Sequence, residues 1–319
     1  MFRSNSSPGA VLRSAFLTLS LSLLSVGCSL KKIAINQIGD TLASTGTTFA
    51  SENDPELARD AIPFTLKLVE TVLAEAPNHA RLRTSAAAYF TQYAYGFIQL
   101  EADYIEAEDY EQAEQMRGRA RNLFLRARDH GLAQIEIKRP DFRAQLAESP
   151  RGAVAAFKKD SVETLYWTAA AWASAITLGK DDPFLIAELP QVEALIDRAL
   201  ELDPGWRDGA IHNFLITYEM SRQDTSGDKE TSARAHFKAA VEASQGRFLS
   251  PYISLAEAVS VQIQNHREFQ SLLNQALAID INEYPEARLV NLLMKKRALW
   301  LLSQLDELFL MEESEILNE

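Results

Sequence analysis

Apolar side chains return along this chain every three or four positions, the interval at which a helix presents one face. Ala58, Ala61, Ile62, Leu66, Val69, Val72 and Leu73 form the first such stripe. Asp54 and Pro55 stand where a cap and a first-turn proline begin a helix, and Ala76-Pro77 ends it. Pro63 lies within the stripe and predicts a bend or a restart. A long second helix opens at Asn78 and aligns Tyr89, Tyr93, Phe97, Leu100 and Tyr104. Gly96 inside it costs about 1 kcal/mol relative to alanine, which predicts a close neighbour at that point. A third helix starts near Asp109, carries Leu123, Phe124 and Ala127, and ends about Gly131, with another turn through Ile137. Val192, Leu195, Ile196, Ala199 and Leu200 make a later stripe. Further helices are expected over 209–220, 233–243, 249–263, 269–279 and 285–309, with polar connectors at 140–152 and 221–230 and a fraying acidic tail after Leu308.

One stretch departs from amphipathic patterning. Residues 162–178, VETLYWTAAAWASAITL, hold no proline or glycine and no charge after Glu163. A helix this short of polar positions needs neighbours on several sides, so it is the expected centre of the core. The turns between helices also repeat: LAEAPN at 73–78, LELDPG at 200–205, VEASQG at 241–246 and LAIDIN at 277–282. The last three are 41 and 36 residues apart, and the nearest repeat unit is the 34-residue tetratricopeptide hairpin. The expected fold is all-α: an α-α superhelix of degenerate tetratricopeptide-like helical hairpins packed around a central apolar helix.

Composition sharpens this. The 319 residues carry a net charge of −12, which argues against nucleic-acid binding and against attraction of the whole body to anionic lipid. The one cysteine, Cys28, excludes an internal disulfide. It follows a polar segment bearing Arg3 and Arg13 and an apolar run to Val26, the order of an exported leader. Leu24-Ser25-Val26-Gly27-Cys28 resembles a bacterial lipobox, with Ser25 where leucine is usual. The expected organisation is a lipoprotein-type signal peptide at 1–27, an acylated tether and short helix at 28–50, and a single helical domain at 51–319. Ser29 after the cysteine, rather than an acid, favours lipid anchoring at the periplasmic face of the outer membrane.

Catalytic patterns are absent: the chain has no G-x-S-x-G, no G-x-x-x-x-G-K-[ST] and no H-E-x-x-H. The protein is expected not to be an enzyme and to need no cofactor or metal. His212 and His236 fall on adjacent helices and could meet, without a third ligand for zinc. The acids from Glu101 to Glu114, followed by Arg117, Arg119 and Arg121, suit a solvated helix face and its dipole. The candidate site is a non-catalytic cavity in which Tyr89, Tyr93 and Phe97 face Tyr166, Trp167 and His212 across a groove. Arg207 and Arg234 are candidate partners for a ligand carboxylate.

The distribution of several short blocks resembles the T component associated with TRAP transporters (the TatT family). They are Ala120-Arg121-Asn122-Leu123-Phe124, Gly131-Leu132, Tyr166-Trp167 with Ala169-Ala170-Ala171-Trp172, Gly209-Ala210-Ile211-His212 and Gly246-Arg247-Phe248-Leu249-Ser250. The resemblance implies a periplasmic lipoprotein of cryptic tetratricopeptide repeats that forms a homotrimer. It further implies binding to the periplasmic solute-receptor subunit, and a cavity suited to an apolar or organic-acid ligand. The alternative reading is a general helical-repeat scaffold for assembling envelope protein complexes. The leader reading generates one prediction: Cys28→Ser releases the protein from membranes, seen as loss of detergent-dependent fractionation.

Overall fold

The computed structural model describes residues 31–222 and 227–310. Cys28, the leader and the acidic tail lie outside the described residues. Among those described there is no strand, and the fold is all-α. Helix α1 covers 31–43 and α2 Gly46–Ala50. Helix α3, Pro55–Glu75, is capped by Asp54, whose carboxylate accepts from the Leu57 amide at 3.0 Å, and it runs through Pro63 without a break. Helix α4, Ala80–Tyr93, is capped by His79 rather than Asn78; the imidazole Nδ1 accepts from the Leu82 amide at 3.2 Å. It passes through a π-helical turn, Ala94–Gln99, into α5, Leu100–Ile105. Helix α6, Tyr110–Glu136, is capped by Asp109 and does not stop at Gly131.

That glycine serves packing instead. A Cβ on Gly131 would sit 2.1 Å from Thr168 Oγ1, so α6 crosses the apolar helix almost backbone to backbone. Next come α7, Phe142–Glu148, and α8, Pro150–Val154, in place of the expected polar connector. Phe142 and Leu146, four apart, are fully buried and dock α7 on the core.

The apolar stretch forms α9, Val162–Thr177, with every residue buried except Glu163, Ser174 and Thr177. Beyond it lie α10 (Pro183–Ile186), α11 (Leu189–Leu202), α12 (Trp206–Ser221), α13 (Lys229–Ser244) and α14 (Ser250–Leu255). A second π-helical turn, Ala256–Ser260, follows α14. Helices α15 (His266–Leu277), α16 (Arg288–Ser303) and α17 (Leu305–Leu308) complete the described chain.

Helix α9 divides the core by its two faces. Tyr166, Trp167, Trp172 and Ile176 join α7, α8, α11 and α12 in one apolar cluster. Ala171 and Ala175 belong to a second, with α3, α4 and α6. A third cluster holds α12 to α16. Trp172 donates from Nε1 to Glu188 Oε2 at 2.7 Å, so its one polar atom is satisfied inside the core. Helices α12 and α13 are joined by a polar contact: His212 and His236 meet Nδ1 to Nδ1 at 2.8 Å, so one ring donates and the other accepts. Burial, then the neighbouring His212 and the Arg222 charge, push the His236 pKa down to about 4.

Two outcomes follow from this packing. Trp172→Ala lowers the unfolding free energy by about 3–5 kcal/mol, the cost of a cavity left by a large buried aromatic, measured by denaturant unfolding. The histidine pair disfavours protonation in the folded state, so the unfolded chain takes up more protons between its ordinary value near 6.5 and about 4. Stability therefore falls as pH drops through that window, and His236→Gln flattens the fall in thermal melts recorded across it.

Candidate functional site

Candidate residues line a cleft of about 520 Å³ between α3, the π turn with α5, and the first turns of α6. Tyr93 and Phe97 lie in its wall with ring centroids 5.8 Å apart. Pro63, Ile98, Ile105 and Met116 complete the apolar lining, and Arg59, Asp60, Glu101, Gln112 and Arg119 supply the polar groups. The π turn determines which side chains reach it. Its wider winding gives the helix a different register from an α-helix, and such turns recur at functional sites. Gly96 within it faces α16, where an added Cβ would lie 2.9 Å from Leu293 Cδ1. The close neighbour expected at Gly96 is therefore α16.

The cleft is open to solvent and adjoins a recess of about 630 Å³ that shares Gln112, Met116 and Arg119. The acidic run beside it is organised by one residue. Arg117 donates to Asp103 at 3.0 Å, Glu106 at 2.7 Å and Glu114 at 2.9 Å. Those hydrogen bonds hold the Glu106 carboxyl below its usual range. Glu101 pairs with Lys296 at 2.5 Å. Arg119 has no carboxylate partner among the described residues, so its guanidinium is available at the cleft edge. An apolar wall with an uncommitted cation can hold an amphipathic anion without chemistry.

The six expected cavity residues fall in four places. Tyr93 and Phe97 are in the cleft. Tyr89 is one turn back, where its hydroxyl accepts from the Gly46 amide at 2.9 Å and lies 3.0 Å from the Ala43 carbonyl, clamping α1 and α2. Tyr166 and Trp167 belong to the cluster that α9 forms with α7, α8, α11 and α12, whereas Tyr93 and Phe97 pack in the cluster that takes Ala171 and Ala175. There Tyr166 lies 4.9 Å from Trp167 and 4.7 Å from Trp206, with Phe214 at 6.4 Å. His212 is committed to His236. Arg207 pairs with Glu163 at 3.0 Å and stacks over Trp206 at 5.2 Å. Arg234 forms a fork with Glu268, and neither arginine reaches the cleft lining.

Pattern reading did not single out the second aromatic group as a unit. Trp206 and Phe214 lie in or beside a segment whose helix was expected to begin at Gly209. Arg207 and Asp208 have φ of 44° and 55°, and Gly209 follows at 85°. Left-handed backbone at two consecutive non-glycine residues carries strain. The step is supported by packing, since a Cβ on Gly209 would meet Ala243 at 2.9 Å. Trp167 Nε1 nearby is buried without an acceptor among the described residues. Among the described residues no helix is long and apolar enough to cross a membrane.

Comparison with known proteins places the chain in a family. A protein of Treponema pallidum (strain Nichols), itself named only as uncharacterized, is 26% identical over 306 residues, spanning 90% of this chain and 95% of its own length. The family model described as TRAP transporter T-component matches residues 51–309, the whole span from the cap of α3 to the last described helix. On that match, which covers well over half of its length, the chain belongs to the TRAP transporter T-component family.

Proposed function

We propose that this chain is a non-catalytic, lipid-anchored periplasmic T component that docks on the solute-receptor subunit of a TRAP transporter. In this reading the α3–α6 cleft takes an amphipathic organic acid. The observation that carries it is the pairing of an aromatic wall, Tyr93 and Phe97, with the uncommitted Arg119 at the edge of a cleft of about 520 Å³. That volume lies in the range of small-molecule sites, and a lining that sets an apolar strip among charged and polar groups can fix orientation without a reaction. The apolar body of the ligand rests against Phe97, Ile98 and Met116, and its carboxylate turns to Arg119 and Arg59.

A protein contact is supported by α3. Leu57, Phe64 and Leu68 recur on one outward face, and Phe64 is 73% exposed. Large exposed apolar side chains at helical spacing mark an association surface. This reading assigns the face to protein docking, by the receptor or by copies of the chain in a homotrimer. A second reading, a general scaffold for envelope assemblies, is favoured by the openness of the cleft and by the recess adjoining it.

Two measurements decide between them. Affinity capture of the full-length protein from an envelope extract recovers a solute receptor as the dominant partner; recovery of a broad set of envelope proteins supports the scaffold instead. Phe64→Asp reduces receptor recovery by about tenfold, the effect of losing one central apolar anchor. Arg119→Glu weakens retention of a small organic acid, followed by mass spectrometry of the eluted ligand, and leaves receptor recovery unchanged.

A further inference from the structure

The net charge of −12 hides a separation of charge between the two ends of the N-terminal helices. Ala80–Ile105 forms one continuous helical run of about 39 Å at 1.5 Å per residue. Its far end carries Glu101, Asp103 and Glu106, followed by Glu108, Asp109, Glu111 and Glu114. Its near end is the corner where α3 finishes, α4 begins and α1 enters. Lys31 meets Glu75 there at 2.8 Å, and Thr84 Oγ1 lies 2.8 Å from Thr164 Oγ1, which brings the starts of α4 and α9 together. Helix α6 returns antiparallel to this end, with Ile135 in the same cluster as Val162 and Leu165. The end layer therefore collects Lys32 on α1, Arg81 on α4, Lys138 after α6 and Lys158 before α9. All four are exposed, and none has a carboxylate partner among the described residues.

The same corner is where the anchor enters. From Cys28 to Lys31, three residues reach at most about 10 Å. Helix α1 cannot swing away from the body: Tyr89 clamps the α1–α2 turn, Ser85 donates to the Ala43 carbonyl at 3.0 Å, and a Cβ on Gly39 would strike the His79 ring at 2.6 Å. An acyl group on Cys28 would therefore hold the basic end, not the acidic one, against the bilayer. Screening settles the sign of the interaction. The Debye length is about 8 Å at physiological ionic strength, so acids about 39 Å away contribute nothing at the surface; at this end Glu75 is neutralised by Lys31 and Asp160 is outnumbered by the four basic groups.

We propose that the end layer bearing Lys32, Arg81, Lys138 and Lys158 is a membrane-facing surface that binds the headgroups of anionic phospholipids and fixes the orientation of the body. This rests on the lipoprotein reading of Cys28. Basic clusters next to a lipid anchor are the known means of adding such a second contact.

The test uses the mature acylated protein, with the acyl mass at Cys28 first verified by intact-protein mass spectrometry. Cys28 is the only native cysteine, so Asn78→Cys at the near corner and Glu108→Cys at the far turn each accept a single fluorophore. In phosphatidylethanolamine vesicles containing phosphatidylglycerol, a headgroup-bound quencher acts about threefold more strongly at position 78 than at position 108, given the Debye-scale range of the contact. The difference falls to the smaller value that the anchor alone imposes in phosphatidylcholine vesicles and in the combined variant Lys32→Glu, Arg81→Glu, Lys138→Glu and Lys158→Glu, whose fold is checked by circular dichroism. Equal quenching at the two positions, stronger quenching at 108, or a difference indifferent to lipid charge overturns the proposal. A Cys28 without acyl mass overturns the lipoprotein reading itself, and the orientation with it.

Discussion

The structure depends on one helix being buried over nearly all of its length, with only Glu163, Ser174 and Thr177 reaching solvent. Helix α9 can lie at the centre because its small residues let α6 approach to the distance at which Gly131 and Thr168 touch. Its few polar atoms are mostly answered internally: the Thr168 hydroxyl donates to the Thr164 carbonyl at 2.6 Å, and the Trp172 indole to Glu188. Unanswered polar groups at such a position would cost about 1–3 kcal/mol each. The two faces of α9 then have different work. Ala171 and Ala175 face the cluster with α3, α4 and α6, while Tyr166, Trp167 and Trp172, with Ala169, Ala170 and Ala173, pack in the cluster with α11 and α12.

Around that centre the protein arranges charge by networks more than by isolated pairs. Arg117 gathers three carboxylates, and Arg297 joins Asp103 at 3.2 Å to Glu257 at 2.6 Å, tying α5 to α16 and to the second π turn. Exposed single pairs contribute little to stability, whereas networks with fixed geometry position elements. Both π turns lie beside this network, where strict α-helical register would carry the side chains past their partners.

Much of this was legible in the chain. Asp54, Asp109 and Pro55 marked helix starts because capping chemistry is local. The 162–178 stretch announced its burial because it carries no charge after Glu163. What failed was long-range. Gly131 read as a stop, since a glycine near the end of a helix pattern usually is one; only the crossing partner reveals that it marks close approach. Phe142 and Leu146 were hidden in a segment whose prolines read as connector. The aromatic stripe from Tyr89 to Phe97 was correctly helical, but the π turn and the two-faced α9 distribute its members among different neighbours. No spacing rule in one segment could report how the facing helix is turned.

The hydroxyl of Tyr89 grips the turn between α1 and α2 from a position four residues before Tyr93, on the same uninterrupted helix that walls the cleft. Tension on the N-terminal helices is thus delivered to a stiff rod rather than dissipated in a slack leash. Tugging on that rod and filling the cleft with a guest load the same piece of backbone.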